Sequence, residues 1–134
     1  MKEILFRGKE IIGGKWREGD LVACKNNERT FITELIEVDE DSWLYWEVDP
    51  NTVGQYTGLT DKNDKKIFEG DIIRGYGSLG DAIIHTVNWN EKEAYFEIYN
   101  EYGSPCGRIN QQWIEDFDKE IIGNIHDNPE LSKI

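Results

Sequence analysis

The chain has 134 residues, 27 acidic against 15 basic, for a net charge of −12, and with 38% hydrophobic and 12% aromatic residues it is too rich in core material to be disordered. No run approaches the roughly 18 apolar residues of a membrane span, and the acidity disfavours direct binding of DNA or RNA, which needs clustered Lys and Arg; the densest basic set is Lys62, Lys65 and Lys66. The charged start Met1-Lys2-Glu3 lacks an apolar signal core and the two cysteines, Cys24 and Cys106, are too sparse for a disulfide-built secreted fold, so the expectation is a single cytoplasmic domain over residues 1–134.

Short alternating segments separated by turn residues run through the chain and predict a mainly β fold, a small SH3-like, barrel-like antiparallel domain with one or two short helical turns. Ile4 and Phe6 share a face of a first strand, and Gly13-Gly14 predicts a hairpin between residues 10–12 and 15–17. Residues 21–24 read as a strand and Lys25-Asn26-Asn27-Glu28 as a turn. In the run 30–38, Phe31, Thr33 and Leu35 point one way, and Ile32, Glu34, Ile36 and Val38 the other. Asp39-Glu40-Asp41-Ser42 breaks that run, and residues 43–48 pair back. Val48-Asp49-Pro50-Asn51 reads as a turn, residues 53–57 as a short strand, and Asp61-Lys62-Asn63-Asp64 as a second turn, whose Asn and Asp tolerate left-handed backbone. A strand is predicted over 72–74, then a mobile loop with Gly75, Gly77 and Gly80. The clearest hairpin joins 82–90 to 94–100, with Ile83, His85, Val87 and Trp89 on one face. After a break at Gly103-Ser104-Pro105, Trp113 and Phe117 stand four apart, the spacing of a helical face over 111–117. Residues 120–125 form a last strand, and Asn128-Pro129 reads as a helix cap followed by proline at the first helical position.

One short pattern occurs twice. Glu18-Gly19-Asp20-Leu21-Val22 matches Glu69-Gly70-Asp71-Ile72-Ile73, and Val53-Gly54-Gln55-Tyr56 is followed in the same order by Ile122-Gly123-Asn124-Ile125. This suggests two related halves, 1–60 and 61–134. Physically the pattern reads as a strand entrance: Gly19 and Gly70 supply unusual backbone, Asp20 and Asp71 bond to nearby N–H groups, and the aliphatic pair starts a buried strand.

These residues also carry a resemblance. Ile4-Leu5-Phe6-Arg7, Gly19-Asp20-Leu21, the block from Val53-Gly54-Gln55-Tyr56 through Thr57-Gly58-Leu59-Thr60-Asp61-Lys62-Asn63, then Ile67-Phe68-Glu69-Gly70-Asp71-Ile72, Ile122-Gly123-Asn124-Ile125 and Asn128-Pro129-Glu130-Leu131 make the chain similar to the YopX family of phage and prophage proteins, over nearly its whole length. One departure is Asp64, where the family usually has Gly. The resemblance implies a β-rich fold and a bacteriophage or prophage origin. It implies no activity, and so no catalytic, cofactor or metal residue to carry over.

No motif supplies chemistry in its place. Glu18, Asp20, Glu69 and Asp71 could be acid–base carboxylates only if they converged in a cleft; turn chemistry is the simpler reading. Cys24, His85, Cys106 and His126 are zinc-ligand types without paired spacing, and His85 falls on an apolar strand face. Asp61, Asn63 and Lys65 begin like a calcium loop, but Lys66 and Ile72 stand where Gly and Glu belong. Gly75-Tyr76-Gly77-Ser78-Leu79-Gly80 lacks both the Gly-Lys-Ser/Thr ending and the following helix of a phosphate loop. No serine has a convincing His partner. The expectation is therefore no enzyme, cofactor or metal.

Two surface readings remain. Trp43 and Tyr45 lie opposite Leu44, Trp46 and Val48, so both faces of one strand are apolar and the expectation is that another layer or subunit covers at least one. Trp43, Tyr45 and Trp46 are the candidate interaction surface, for an unknown host or phage protein or for a second copy of the chain. Glu34, Glu37, Asp39, Glu40 and Asp41, with Glu115, Asp116, Asp118 and Glu120, could imitate DNA phosphates; a solvated surface is the plainer reading. The sequence thus supports a non-enzymatic protein-binding accessory protein, with an acidic DNA mimic or anti-restriction factor as the alternative and an enzyme without a familiar pattern as the third.

Overall fold

The structure, a computed structural model, describes residues 2–26, 28–36 and 42–133. Asn27, Glu37, Val38, Asp39, Glu40 and Asp41, which carry a predicted turn and most of the first acidic cluster, lie outside the described residues. The chain divides into two compact units, Met1–Tyr56 and Thr57–Ile134. The fold is mainly β, as the alternation predicts.

Unit 1 holds β1 (Phe6–Glu10), β2 (Trp16–Cys24), β3 (Arg29–Ile36) and most of β4 (Ser42–Thr60), which crosses into unit 2. All pairings are antiparallel, and β1 pairs with both β2 and β4, so the four strands close on themselves. Closure brings backbones close, and glycine makes room. A Cβ on Gly8 would stand 2.8 Å from Val48 Cγ2, and one on Gly19 would collide with the Thr33 carbonyl oxygen. Ile32 and Val48 fill the interior, fully buried.

Two expectations need correction in this unit. Val48-Asp49-Pro50-Asn51 does not end a strand; β4 continues through it. The turn chemistry survives as an outward bulge: Arg7 pairs with Gly54 and Lys9 with Asp49, leaving residues 50–53 of β4 with no partner on β1. Asp49 Oδ1 accepts the Asn51 N–H (3.0 Å), and Thr52 Oγ1 accepts the Lys9 N–H (2.8 Å) in place of a strand partner. Proline is tolerated because this stretch needs no ladder donor. The second correction concerns Gly19 and Asp20, which lie inside β2 and not at its start. Gly19 is there for its missing side chain.

Unit 2 holds the end of β4, β5 (Lys66–Phe68), β6 (Asp71–Tyr76), β7 (Ala82–Asn90), β8 (Tyr95–Asn100), β9 (Pro105–Arg108), α1 (Gln111–Asp116), β10 (Glu120–Asn124) and a 3-10 turn, Pro129–Lys133. Its antiparallel sheet runs in the order β10-β6-β7-β8-β9. Strand β9 was not expected, since Pro105-Cys106-Gly107-Arg108 has no strand-forming side chain; it is a short, exposed edge. On one sheet face Ile73, Val87 and Ile98 are buried with Ile67, Ile109 and Ile114 of α1. Asn110 caps α1, its Oδ1 accepting the Trp113 N–H at 2.8 Å. Gln111 bonds Thr60 through both amide atoms, 3.1 Å and 3.0 Å, imitating a strand neighbour.

The block that carries the family resemblance is turn architecture. Thr57 Oγ1 donates to the Ile67 carbonyl (2.8 Å) and accepts the Leu59 N–H (3.2 Å). The buried Asp61 carboxylate accepts three backbone N–H groups, from Asn63 (2.8 Å), Lys65 (2.9 Å) and Ile121 (3.0 Å). Asp64 takes φ +63°, the left-handed conformation that explains why glycine suits the position. Gly70 has φ +92°, and buried Asp71 accepts the Phe68 N–H at 2.8 Å.

Candidate functional site

Among the described residues no three His, Cys, Asp or Glu side chains converge on a metal-sized site. Asp61 and Asp71 spend their carboxylates on backbone N–H groups, whereas Glu18 and Asp20 are exposed on β2. Cys24 is half-buried in unit 1 and Cys106 is exposed on β9. The segment 77–81 is a tight β6–β7 connection, with Gly77 N–H bonded to the Asp81 carbonyl at 2.8 Å. Of the second acidic cluster, Glu115, Asp116 and Asp118 are exposed. Glu120 instead bonds Arg74 (2.6 Å) and approaches Lys62 (3.7 Å); the Arg74 hydrogen bond is the main cause that holds its carboxyl below the usual range.

His85 lies edge-on to Trp113, ring centroids 5.2 Å apart, and its Nδ1 is buried without a hydrogen-bond partner. Lys119 Nζ sits 4.5 Å from the Trp113 centroid and 5.8 Å from that of Phe117. A Cβ on Gly75 would stand 2.5 Å from that Nζ, so glycine makes the passage for the lysine. Burial and then the Lys119 charge push the His85 imidazole down to about 4. Burial lowers Lys119 as well. This cluster is a packed element of unit 2, and sequence reasoning found only its histidine.

The strongest site candidate is a surface of unit 1. Gly13 and Gly14, at φ +92° and +67°, close the β1–β2 turn and leave Ile11 57% and Ile12 89% exposed. Beside them lie Tyr45, 61% exposed, and the half-buried Trp46. Glu10, Ile11, Ile12, Tyr45, Trp46 and Glu47 line a depression of about 200 Å³. A neighbouring one of about 370 Å³ shares Glu10 and Ile11 and adds Pro50 of the β4 bulge. The rim charges are paired: Glu10 with Arg17 (3.1 Å), which stacks on Trp46 at 4.4 Å, and Glu47 with both Nε and Nη2 of Arg29 (3.1 Å each). The Arg29 hydrogen bond holds the Glu47 carboxyl below its usual range.

Of the three predicted surface residues, Trp43 and Tyr45 are exposed, and Trp46 lies in register with buried Ile32 under Arg17. Ile11, Ile12 and Pro50 were missed, because residues 10–12 read as one arm of a hairpin and Pro50 as part of a turn. The double glycine that follows them was the available signal.

The family described as YopX protein matches residues 5–133. The chain belongs to the YopX protein family. Among solved structures, the chain is similar to the crystal structure of protein EF1440 from Enterococcus faecalis, with a TM-score of 0.59 and 20% identity over 98% of this chain and 99% of that one. At that identity the likeness speaks to the fold alone. No curated protein matches the chain.

Proposed function

We propose that this member of the family is a non-enzymatic, protein-binding accessory protein of phage or prophage origin, acting in the bacterial cytoplasm through the Ile11–Ile12–Tyr45 surface. The observation that carries the reading is that surface itself. Contiguous exposed apolar side chains beside paired charges are the anatomy of an interface. The glycine-closed turn and the β4 bulge hold it in place.

A tagged pull-down from lysogenic host cells with mass spectrometry tests it, run with the natural chain beside Ile12→Asp and Tyr45→Ser. The expected result is one host or phage protein, or a second copy, recovered by the natural chain and lost with both variants at unchanged folding. Equal recovery with the variants, or nothing recovered from a strict monomer, refutes it. The exposure of Glu115, Asp116 and Asp118 beside a net charge of −12 supports a second reading, an acidic DNA mimic. Failure to displace DNA from any host nuclease or repressor at low salt would dispose of that one.

A further inference from the structure

Unit 2 carries an open depression of about 420 Å³, within the roughly 300–1,000 Å³ span of small-ligand sites. Thr86 and Asn88 stand two apart on β7, and Tyr99 of β8 is the register partner of Thr86. All three therefore project from one sheet face and form its floor. Glu101 and Tyr102, from the β8–β9 loop, form one wall, and Ser132 of the 3-10 turn contributes to the other. The loop is held in shape by Asn100, whose Oδ1 accepts the N–H groups of Tyr102 (2.9 Å) and Ser104 (3.0 Å). Gly103 completes the turn at φ +80°. Tyr102 is nonetheless 83% exposed, a large aromatic ring held out on a built loop.

Among the described residues that line it none is basic, and Glu101 places a carboxylate on the wall. In register with Asn88 lies Glu97, a buried carboxylate hydrogen-bonded to Tyr99 and to Asn90 Nδ2 (3.4 Å). The bond to Glu97 raises the Tyr99 hydroxyl above its ordinary value, which keeps its ring a neutral phenol. Arg108, in register with Glu97, lies over the Tyr95 ring at 4.7 Å, so Glu101 is the carboxylate that faces a ligand here. Aromatic faces beside a carboxylate attract positive groups, and a chain of net charge −12 draws cations from a distance. An anion would be repelled, and an apolar ligand would have to cover Thr86, Asn88 and Ser132.

We propose that this depression binds an organic cation, an alkylammonium or guanidinium group, with Tyr99 and Tyr102 as its aromatic partners and Glu101 as its counter-charge. The group can come from a free amine or from a lysine or arginine side chain of another protein. The site lies wholly in unit 2, and it stands or falls independently of the unit 1 surface.

The test is a heteronuclear NMR titration of the full chain with arginine amide, with a short Arg- and Lys-containing peptide, and with the same peptide carrying Gln at the basic positions. Expected are shifts centred on Asn88 and residues 99–103 with both cationic probes, weakened by salt and absent with the Gln peptide. Glu101→Gln and Tyr102→Ala each weaken binding by up to about tenfold, with unchanged thermal unfolding because both sites are on the surface. Tighter binding of the basic peptide than of arginine amide assigns the cation to a protein side chain; equal binding assigns it to a free amine. Equal shifts with the Gln peptide, shifts centred elsewhere, or none at millimolar arginine amide overturn the proposal.

Discussion

Replacing Asp61 by alanine is the sharpest test of how unit 2 is built. Its carboxylate is 3% exposed and accepts the backbone N–H groups of Asn63, Lys65 and Ile121 at 2.8–3.0 Å. Two of these bonds close the turn before β5, and the third ties that turn to β10 across 60 positions of sequence. A hydrogen bond to a charged acceptor contributes about 1.5–3 kcal/mol, and a donor left buried and unpaired costs about 1–3 kcal/mol. The turn donors can recover water, whereas Ile121 N–H sits within a strand, so the sum falls well below three full bonds, at about 3–5 kcal/mol. That is a large part of the roughly 5–15 kcal/mol that holds a domain together. Asp61→Asn keeps one acceptor for the turn and turns an NH2 toward Ile121 N–H, which should cost about 1–3 kcal/mol. Urea unfolding followed by tryptophan fluorescence measures both, and Trp89 and Trp113 report on unit 2. A loss below about 1 kcal/mol for Asp61→Ala, or an Asn variant as damaged as the Ala one, would refute the reasoning.

Three further outcomes follow from the geometry. His85 titrates at about 4 in the fold against 6.5 unfolded, so the unfolded chain binds the extra proton between those values and stability falls as pH drops from 6.5 through 4. The ceiling is about 3 kcal/mol, roughly halved for a half-buried ring open to solvent screening; comparing urea midpoints of the natural chain and His85→Gln at pH 7 and pH 4.5 isolates it from the carboxylates. Gly19→Ala drives a methyl into the Thr33 carbonyl and should cost about 1–3 kcal/mol or prevent unit 1 from closing, read by thermal unfolding. Asp64→Gly relieves the left-handed backbone at φ +63° and should raise the unfolding free energy, read by urea titration, by about 0.5 kcal/mol, the difference between αL strain and added chain entropy.

The parts of the fold legible in sequence are those whose pattern is local. The hairpin of β7 and β8 alternates cleanly, and the spacing of Trp113 and Phe117 marks the short helix α1. Asn128-Pro129 likewise starts the 3-10 turn. The rest depends on distant partners. Pro50 reads as a strand end, yet β4 passes through it because β1 leaves that stretch unpaired. The two Glu-Gly-Asp copies look alike, but Gly70 is chosen for its φ and Gly19 for the carbonyl that crosses it. Lys119 reads as a surface charge and is 3% exposed, because Gly75 and Trp113 make a channel that no local pattern announces.

The distribution of burial gives the unit 1 surface its weight. Among the described residues, the largest fully buried side chains of unit 2 are Ile67, Ile72, Ile73, Val87, Ile114 and Asp71, and those of unit 1 are Ile32 and Val48. Closure of its strands, with glycines that let backbones meet, holds unit 1 around these two side chains. Fully burying one isoleucine is worth about 1.5–3 kcal/mol. Ile11 and Ile12 nevertheless stay out in solvent, on a turn shaped by two glycines in left-handed backbone, next to an exposed Tyr45. Folding alone gives no reason to place them there. The partner proposed above would give one, and would stabilise unit 1 by the apolar area it covers.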